Sequence, residues 1–257
     1  MLANYHAHTW RCRHAFGTER EYIEEAIKGG MKCFGFSDHI PQVWPDGYDS
    51  GMRMTLDQLS DYVETITDLK KEYANDIKIF LGFEAEYYPD YFDKIMEELK
   101  KYPEVDYIIL GQHFLYNEIN APASGTPTKS VDILEQYVDQ TMEALETGKF
   151  SCFAHPDIIN FTGNDEDYYY QMKRLCLKAK AMDVPLEINF LGLLDGRIYP
   201  NPKFWKIAGE VGNEVIFGAD CHSKDMVINK KSEELASLMV SKYNLKHIDY
   251  LKLKKVN

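Results

Sequence analysis

The sequence predicts an α/β fold built on parallel strands. Apolar runs of strand length, rich in Ile, Val, Phe and Tyr, alternate along the chain with longer stretches of helical period. Strict alternation implies parallel strands with helical crossovers, and therefore a barrel or an open doubly wound sheet. The chain contains neither G-x-G-x-x-G nor G-x-x-x-x-G-K, the usual motifs of nucleotide-binding sheets, which favours the barrel.

Seven strands and six helices are expected, in strict alternation. The predicted strands are residues 2–6, 32–37, 77–84, 107–112, 152–155, 185–189 and 215–219. The predicted helices are residues 19–28, 55–74, 91–101, 130–146, 167–181 and 202–211. Thr18 with Glu21 and Thr55 with Gln58 have the spacing of capping boxes at helix starts. Glycines follow several helical stretches, as expected at helix ends: Gly29, Gly30, Gly148 and Gly212.

Composition indicates a globular protein. Of the 257 residues, 45% are hydrophobic and 27% charged, which excludes disordered and low-complexity classes. A net charge of -12 disfavours broad nucleic-acid binding, and no run of 18 apolar residues predicts a membrane span. Five cysteines without a C-x-x-C pair suggest reduced thiols. We therefore expect a single cytoplasmic domain over residues 1–257, with no nucleic-acid or membrane partner.

Two long connections and a basic tail interrupt the alternation. Residues 40–54 and 114–129 are long enough to be lids or binding loops. The tail from Lys242 carries five lysines and is expected to be a solvated closing element, a partner patch being the alternative.

Histidines mark one edge of the predicted sheet. Seven of the eight lie at or just after the C-terminal end of a predicted strand: His6, His8, His14, His39, His113, His155 and His222. Two strand-end acids, Glu84 and Asp220, join them. Since the carboxyl ends of parallel strands meet at one edge, these nine side chains should converge.

The nine residues suit catalytic metals. His6 and His8 are two residues apart, so their side chains point the same way from an extended strand, and the same holds for Asp220 and His222. Cys221 then points to the opposite side, as a packing residue. Imidazole and carboxylate donors suit Zn, Fe or Mn. Shared among three divalent ions, nine ligands leave open coordination positions, as catalysis requires.

Formal charge suggests the substrate. Three divalent ions carry six positive charges, and Glu84, Asp220 and a bridging hydroxide remove three of them. The remainder matches a phosphate dianion, so the sequence favours phosphoester hydrolysis.

Six short motifs along residues 5–223 carry the candidate ligands. They are Tyr5-His6-Ala7-His8-Thr9 with Cys12-Arg13-His14, Phe36-Ser37-Asp38-His39-Ile40-Pro41, Gly82-Phe83-Glu84-Ala85-Glu86, Gly111-Gln112-His113, Phe153-Ala154-His155-Pro156 and Gly218-Ala219-Asp220-Cys221-His222-Ser223. In this order they resemble the polymerase and histidinol phosphatase (PHP) family of trinuclear-metal phosphoesterases. The resemblance implies a distorted (βα)7 barrel with three divalent ions at the C-terminal ends of the strands.

The resemblance also implies ligand sets and a substrate. It assigns His6, His8, Glu84 and Asp220 to one ion, Glu84, His113 and His155 to a second, and His14, His39 and His222 to a third. Residues 37–41 and 82–87 most resemble family members that hydrolyse L-histidinol phosphate in histidine biosynthesis. A hydroxide bridging two ions would attack phosphorus in line. Asp220, His39 and a metal-bound water are candidates for the acid that protonates the leaving group.

Substrate contacts are predicted outside the ligand set. Arg197 follows the sixth strand and can bind phosphate with a bidentate fork, as the family's matching arginine suggests, or form a surface ion pair. Lys224 and Arg11 are weaker candidates for phosphate. Glu86, Asp90, Tyr88 and Tyr91 are candidates for the ammonium and imidazole of histidinol phosphate. Glu187 and Asn189 could hold ligand histidines or cap the next helix.

Other functions remain alternatives at this point. The substrate of the phosphoesterase could instead be a phosphotyrosine peptide, a nucleotide or a DNA end. Metal-dependent amidohydrolysis on a barrel uses similar strand-end residues. A metal-binding regulatory domain without activity is the non-enzyme alternative, although all nine ligand positions are intact.

Overall fold

The computed structural model describes residues 1–45 and 47–256. Its centre is a parallel sheet whose strands follow one another in chain order from β1 to β8. The strands are β1 Ala3–Asn4, β2 Cys33–His39, β3 Lys78–Ala85, β4 Tyr107–Leu110, β5 Phe150–Phe153, β6 Leu186–Asn189, β7 Glu214–Gly218 and β8 Lys246–His247. Each crossover between parallel neighbours brings the chain back to the same end of the sheet, so all carboxyl ends lie at one mouth.

Helices occupy the crossovers. They are α1 Glu19–Lys28, α2 Leu59–Glu72, α3 Phe92–Leu99, α4 Val131–Glu146, α5 Asp165–Ala181, α6 Phe190–Asp195, α7 Pro202–Val211 and α8 Lys230–Tyr243. The capping box at Thr18 and Glu21 is present. A short 3₁₀ turn precedes α2, and there the side chain of Gln58 accepts a hydrogen bond from the Thr55 amide at 3.0 Å.

The predicted α/β barrel is confirmed, and three further elements are present. All seven predicted strands and six predicted helices occur, but α6, α8 and β8 were not predicted. The apolar periodicity of α8 is weak because only Ser232 and Ala236 are buried along its length. β8 has two residues, and α6 has six, which is too short for a periodic signal.

The sheet curls until its first and seventh strands meet at the mouth. Ala7, just after β1, forms a parallel bridge with Cys221, just after β7. The His8 amide donates to the Cys221 carbonyl at 2.9 Å. Cys221 itself is buried in the core that faces the helices, as predicted for a packing residue. The mouth is therefore closed around seven strands.

The side chain of Asn4 extends this closure below the mouth. Its Oδ1 accepts from the Ala219 amide at 2.9 Å, and its Nδ2 donates to the His6 carbonyl at 3.0 Å. One amide side chain thus supplies hydrogen bonds that a continuous ladder between β1 and β7 would make. β8 pairs with the opposite end of β7, at Glu214 and Val215.

The barrel has its own small core. Alternate residues of the strands point inward, while the other residues pack against the helices in a larger core. The buried members of the inner core are Ala3, Tyr5, Cys33, Tyr107, Ile109, Cys152, Ala154, Ile216 and Leu251. Tyr107 donates its hydroxyl to the Tyr5 carbonyl at 2.7 Å, so its polar end is satisfied inside the barrel.

The C-terminal tail closes the end of the barrel opposite the mouth. Leu251 reaches into the inner core. The Lys254 amide donates to Ser151 Oγ at 2.9 Å, near the start of β5, and its Nζ donates to the Met182 carbonyl at 2.8 Å. The lysine-bearing tail is therefore a closing element, as predicted.

The first prediction concerns the C-terminal tail. Replacing Leu251 by Ala should lower the free energy of unfolding by about 2–4 kcal/mol, since a buried leucine is truncated and a cavity remains. Leu251 is 8% exposed, whereas Leu238 on α8 is 66% exposed, so Leu238→Ala is the matched control. The control should stay within about 0.5 kcal/mol of the wild type in urea unfolding. Equal effects of the two substitutions would show that the tail does not contribute to the core.

Candidate metal centre

The seven strand-end histidines and two acids meet at the mouth of the barrel. A cavity of about 760 Å³ opens there, and its floor carries His8, His14, His39, Glu84, His113, Asp220 and His222. His6 and His155 lie directly beneath: His6 Nε2 is 3.5 Å from Asp220 Oδ1, and His155 Nε2 is 2.8 Å from Glu84 Oε1. All nine predicted side chains are thus brought together.

The two predicted same-side pairs are present. The Nε2 atoms of His6 and His8 are 3.2 Å apart. His222 Nδ1 lies 3.5 Å from Asp220 Oδ1, and that same oxygen lies 3.1 Å from His8 Nε2. Closure of the barrel between β1 and β7 brings these two pairs into contact.

Glu84 lies at the centre of the cluster. Five histidines place a ring nitrogen within 3.6 Å of its carboxylate oxygens: His155 at 2.8 Å, His39 at 3.1 Å, His6 at 3.4 Å, His113 at 3.5 Å and His8 at 3.6 Å. His113 and His155 face Oε1, while His6, His8 and His39 face Oε2. A carboxylate with donors on both oxygens has the placement that a bridging ligand requires.

A third group forms the outer part of the floor. Ring nitrogens of His14, His39 and His222 lie within 4.8 Å of one another. The rings of His14 and His222 stack with centroids 4.7 Å apart. Cys12, which sequence reasoning did not place here, also has its Sγ within 4.8 Å of nitrogens of His8 and His222. Burial raises the pKa of the Cys12 thiol, so it stays protonated.

Most of the rings are fixed by an acceptor on the side away from the cavity. Carboxylates hydrogen-bond Nδ1 of two histidines, Glu187 with His6 at 2.9 Å and Glu86 with His113 at 3.0 Å. A third carboxylate, that of Asp38, lies 3.5 Å from His8 Nδ1 without a formed hydrogen bond. Backbone carbonyls of Cys12 and Asp220 face Nδ1 of His14 at 2.7 Å and of His222 at 3.0 Å. Such acceptors orient a ring and leave its other nitrogen free to bind a metal.

Sequence reasoning found one of these three carboxylates. Glu187 was predicted to hold a ligand histidine or cap a helix, and it holds His6. Asp38 was not assigned a role, and its sequence signal was only its place beside His39 in a strand. Its carboxylate also accepts from Thr9, through the backbone amide at 3.2 Å and through the hydroxyl.

Asn189 caps the next helix, which is one of the two roles considered for it, and its other contacts are to acids rather than to a ligand histidine. Its Nδ2 donates to Glu187 Oε1 at 2.8 Å and to Asp220 Oδ2 at 3.0 Å. Its Oδ1 accepts from the Gly192 amide at 2.9 Å, which caps α6. The same side chain therefore starts a helix and holds two acids of the centre.

Two motif glycines make room for acids. A Cβ on Gly111 would lie 2.0 Å from Glu84 Oε1, and one on Gly218 would lie 2.0 Å from Glu187 Oε2. Both acids are buried, so a side chain at either glycine would displace a carboxylate that contacts histidine rings.

Two of the nine residues have strained backbones. His155 has φ of 32° and Asp220 has φ of 49°, in the left-handed region that residues with a side chain rarely adopt. Strain of this kind costs about 1–3 kcal/mol per residue and persists where the surroundings impose it. The barrel thus holds both side chains in the cluster at some cost to the backbone.

Charges in the cluster depend on one another. Burial raises the pKa of Glu84, but His113, His6 and His39 outweigh it and hold that pKa well below its usual value. Burial likewise opposes ionisation of Asp220, yet its histidine neighbours, His6 first, keep its pKa well below normal. Both acids therefore remain carboxylates.

The histidines divide into two classes. Burial lowers the pKa of His6, but Glu187, Asp220 and Glu84 outweigh it and raise that pKa well above normal. The same balance between burial and carboxylates raises the pKa of His8 to about 9. Burial holds the pKa of His39 well below normal and lowers that of His222 to about 3. Without a metal, protons on the rings of His6 and His8 would balance the negative charge of the carboxylates.

Arg197 lines the cavity, as its predicted role requires. Its side chain is 44% exposed, with Nη2 3.1 Å from Asp195 Oδ2 and Nη1 donating to the Tyr199 hydroxyl at 3.1 Å. The rest of the wall is mainly apolar, with Met52, Ile158, Leu191, Leu194, Ile198 and Met226, and it also includes Gly125, Asp195 and Tyr199. The long loops 40–54 and 114–129 contribute only Met52 and Gly125 to the described wall.

The structure does not bring Lys224 or Glu86 to the cavity wall. Lys224 lies on the surface, where its Nζ donates to Glu21 Oε1 at 2.8 Å. Glu86 is completely buried behind His113 and binds Arg53 with both oxygens, at 2.8 Å and 3.0 Å. Neither side chain is therefore available to a substrate in the cavity.

The weaker candidates lie elsewhere as well. Arg11 is buried in ion pairs with Asp61 and Glu19. Tyr88 is buried against Trp44, whose ring also contacts Tyr91. Asp90 is absent from the cavity wall.

Among the described residues, no helix has the length and apolar character needed to cross a bilayer.

Known proteins share this sequence and fold. The PHP domain model matches residues 4–190. The histidinol-phosphatase of Bacillus subtilis is 36% identical over 250 residues, covering 84% of this chain and 92% of that protein. A Deinococcus radiodurans protein named "Probable histidinol-phosphatase" is 29% identical over 228 residues, covering 86% of each chain. These relatives confirm the predicted assignment to the phosphatases.

A solved structure has the same fold. Histidinol phosphate phosphatase from Lactococcus lactis, crystallised with zinc, L-histidinol and phosphate, superimposes with a TM-score of 0.73. It is 20% identical, and the match covers 96% of this chain and 95% of that one. With nine converging ligand-type side chains and a family match over most of the chain, the protein belongs to the PHP domain family, as its motifs predicted.

Proposed function

We propose that this protein is a metal-dependent phosphomonoester hydrolase that converts L-histidinol phosphate and water to L-histidinol and phosphate. The observation that carries the proposal is the central position of Glu84, with five imidazoles around one buried carboxylate. The relatives named histidinol-phosphatases support the substrate.

The donor set fits divalent cations. The Nδ1 atoms of His8, His39 and His155 are buried without a formed hydrogen bond among the described residues. Imidazoles and carboxylates are the donors that Zn, Fe and Mn accept, and a cation can replace the protons that the rings of His6 and His8 would otherwise need. The three predicted sets remain our assignment: His6, His8, Glu84 and Asp220; Glu84, His113 and His155; and His14, His39 and His222. Ions held there would activate water, which we propose as a hydroxide bridging two of them, and neutralise charge on the phosphoryl oxygens.

The chain's own residues would bind and orient the substrate. Arg197 is the basic residue of the described cavity wall, and its guanidinium can hold two phosphoryl oxygens. Asp220 and His39 both line the floor, so both are candidates to donate a proton to the leaving oxygen. The apolar wall would pack against the imidazole of histidinol and exclude water from the reacting group.

The second prediction tests the substrate and the metals. The purified protein should release phosphate from L-histidinol phosphate with a higher kcat/KM than from a phosphotyrosine peptide, a nucleotide or a 3′-phosphorylated DNA end. A chelator should abolish release, and Zn, Mn or Fe should restore it. Metal analysis should give three ions per chain. Full activity after complete metal removal would overturn the mechanism, and preference for another ester would overturn the substrate.

The third prediction compares two histidines. His8 contacts Glu84 and Asp220 on the floor, whereas His247 lies at the opposite end of the barrel, stacked on Phe217. His8→Ala should lower kcat by more than about 100-fold, because losing even an indirect partner of a metal ligand costs about 10–100-fold. His247→Ala should leave kcat unchanged. Circular dichroism checks that both variants fold, and similar kcat values for the two would contradict the proposed site.

The fourth prediction concerns phosphate binding. Arg197→Met should lower kcat/KM by about 10- to 100-fold, because a charge-assisted hydrogen bond contributes about 1.5–3 kcal/mol. Arg20, on the surface in an ion pair with Glu72, provides the control Arg20→Met, which should have no effect. Retention of kcat/KM by Arg197→Met would leave Arg197 as a surface ion pair with Asp195.

A further inference from the structure

One arginine outside the ligand set is enclosed by charged partners behind the metal centre. Arg53 is 1% exposed, although it belongs to the long loop 40–54. Every nitrogen of its guanidinium has an acceptor. Nε donates to Glu118 at 2.8 Å, Nη1 donates to Glu86 at 2.8 Å and to the Ile40 carbonyl at 3.0 Å, and Nη2 donates to Glu86 at 3.0 Å and lies 2.6 Å from Glu118.

These contacts join both long loops at one buried point. Arg53 and the Ile40 carbonyl belong to the loop 40–54, and Glu118 belongs to the loop 114–129. Tyr48 donates its hydroxyl to the other oxygen of Glu118 at 3.0 Å, and Ser50 bonds to the same oxygen. The loops are thus held by a buried ion network, and Arg53 is not among the residues that line the described cavity.

The network ends on a floor histidine. Glu86 follows β3 two residues after Glu84, and its Oε1 lies 3.0 Å from His113 Nδ1. The other ring nitrogen, Nε2, then faces Glu84 Oε1 at 3.5 Å. Because a bidentate Arg pair fixes the plane of a carboxylate, Arg53 determines where Glu86 can meet the ring. His113 is also more exposed than Glu84, so its ring has fewer packing neighbours to hold it.

Resting on the proposed role of His113 as a metal ligand, we propose that Arg53 is a positioning residue: it holds Glu86, and Glu86 orients His113 so that its Nε2 faces Glu84, where it would bind a metal. Glu118 shares the guanidinium but balances its charge from the loop side, without touching a ligand. A purely structural role for Arg53 would instead make its two carboxylate partners equivalent.

Glu86 and Glu118 therefore form a matched pair for the test. Both carboxylates are buried and both bind Arg53, but only Glu86 contacts a histidine. Glu86→Gln should weaken the affinity for one equivalent of Zn by about 10–100-fold, the usual cost of losing an acceptor behind a ligand histidine. Glu118→Gln should leave the affinity for Zn within about twofold, because the bidentate contact of Arg53 with Glu86 remains.

Arg53→Lys separates geometry from charge. Lysine keeps the positive charge but cannot bind Glu86 in a fork, so this variant should resemble Glu86→Gln in Zn affinity. Binding is measured on the full-length apoprotein by competition with a chromophoric chelator, and urea unfolding reports stability for each variant. Excess Zn should restore the kcat of Glu86→Gln and Arg53→Lys toward the wild-type value.

The outcomes distinguish this inference from the proposed function. Wild-type Zn affinity in both Glu86→Gln and Arg53→Lys would overturn the positioning role, whether or not histidinol phosphate is the substrate. Equal losses of affinity in Glu86→Gln and Glu118→Gln would also overturn it, in favour of a structural network. A wild-type protein that binds Zn but does not hydrolyse histidinol phosphate would refute the proposed function alone.

Discussion

A single buried carboxylate sets the main constraint on this barrel. Glu84 is 1% exposed, and an ionised group at such a site is costly unless donors or cations surround it. Five imidazoles from four separate segments of the chain meet this demand, which requires the strands that carry them to end at the same height. The closure between β1 and β7 through Ala7, Cys221 and Asn4 is therefore as much a part of the centre as the ligands, because it brings Asp220 to His8.

Much of the fold and the floor could be predicted because both depend on local patterns. The alternation of apolar runs and helical stretches gave the order of the strands, and a parallel sheet must collect its carboxyl ends at one edge. The two-residue spacings of His6 with His8 and Asp220 with His222 placed each pair on one side. Elements without such a pattern were missed: β8 is two residues long, and α8 buries little of its surface.

The residues behind the floor, Glu86 and Arg53, were harder to predict, for a physical reason. Glu84 and Glu86 are two residues apart, so their side chains are expected on the same side of an extended strand. A substrate role for Glu86 was therefore reasonable from spacing alone. Its actual environment depends on Arg53, which is 33 residues away in sequence and enters from a long loop. Nothing local distinguishes a buried guanidinium from an exposed one, since Arg is usually exposed. Lys224 shows the reverse case, a basic residue beside a ligand motif that pairs with Glu21 on the surface.

The floor and the wall of the cavity differ in character. Its floor is polar and held by strand ends, by acids behind the rings and by two strained backbones at His155 and Asp220. Its wall is mainly apolar, and much of it comes from the segment after β6, which also carries Arg197 and Asp195. Since the Arg53 network fixes the two long loops, the proposed function implies that substrate preference would be changed most readily through this wall. A change there would alter what packs against a bound substrate while the charges around Glu84 stay balanced.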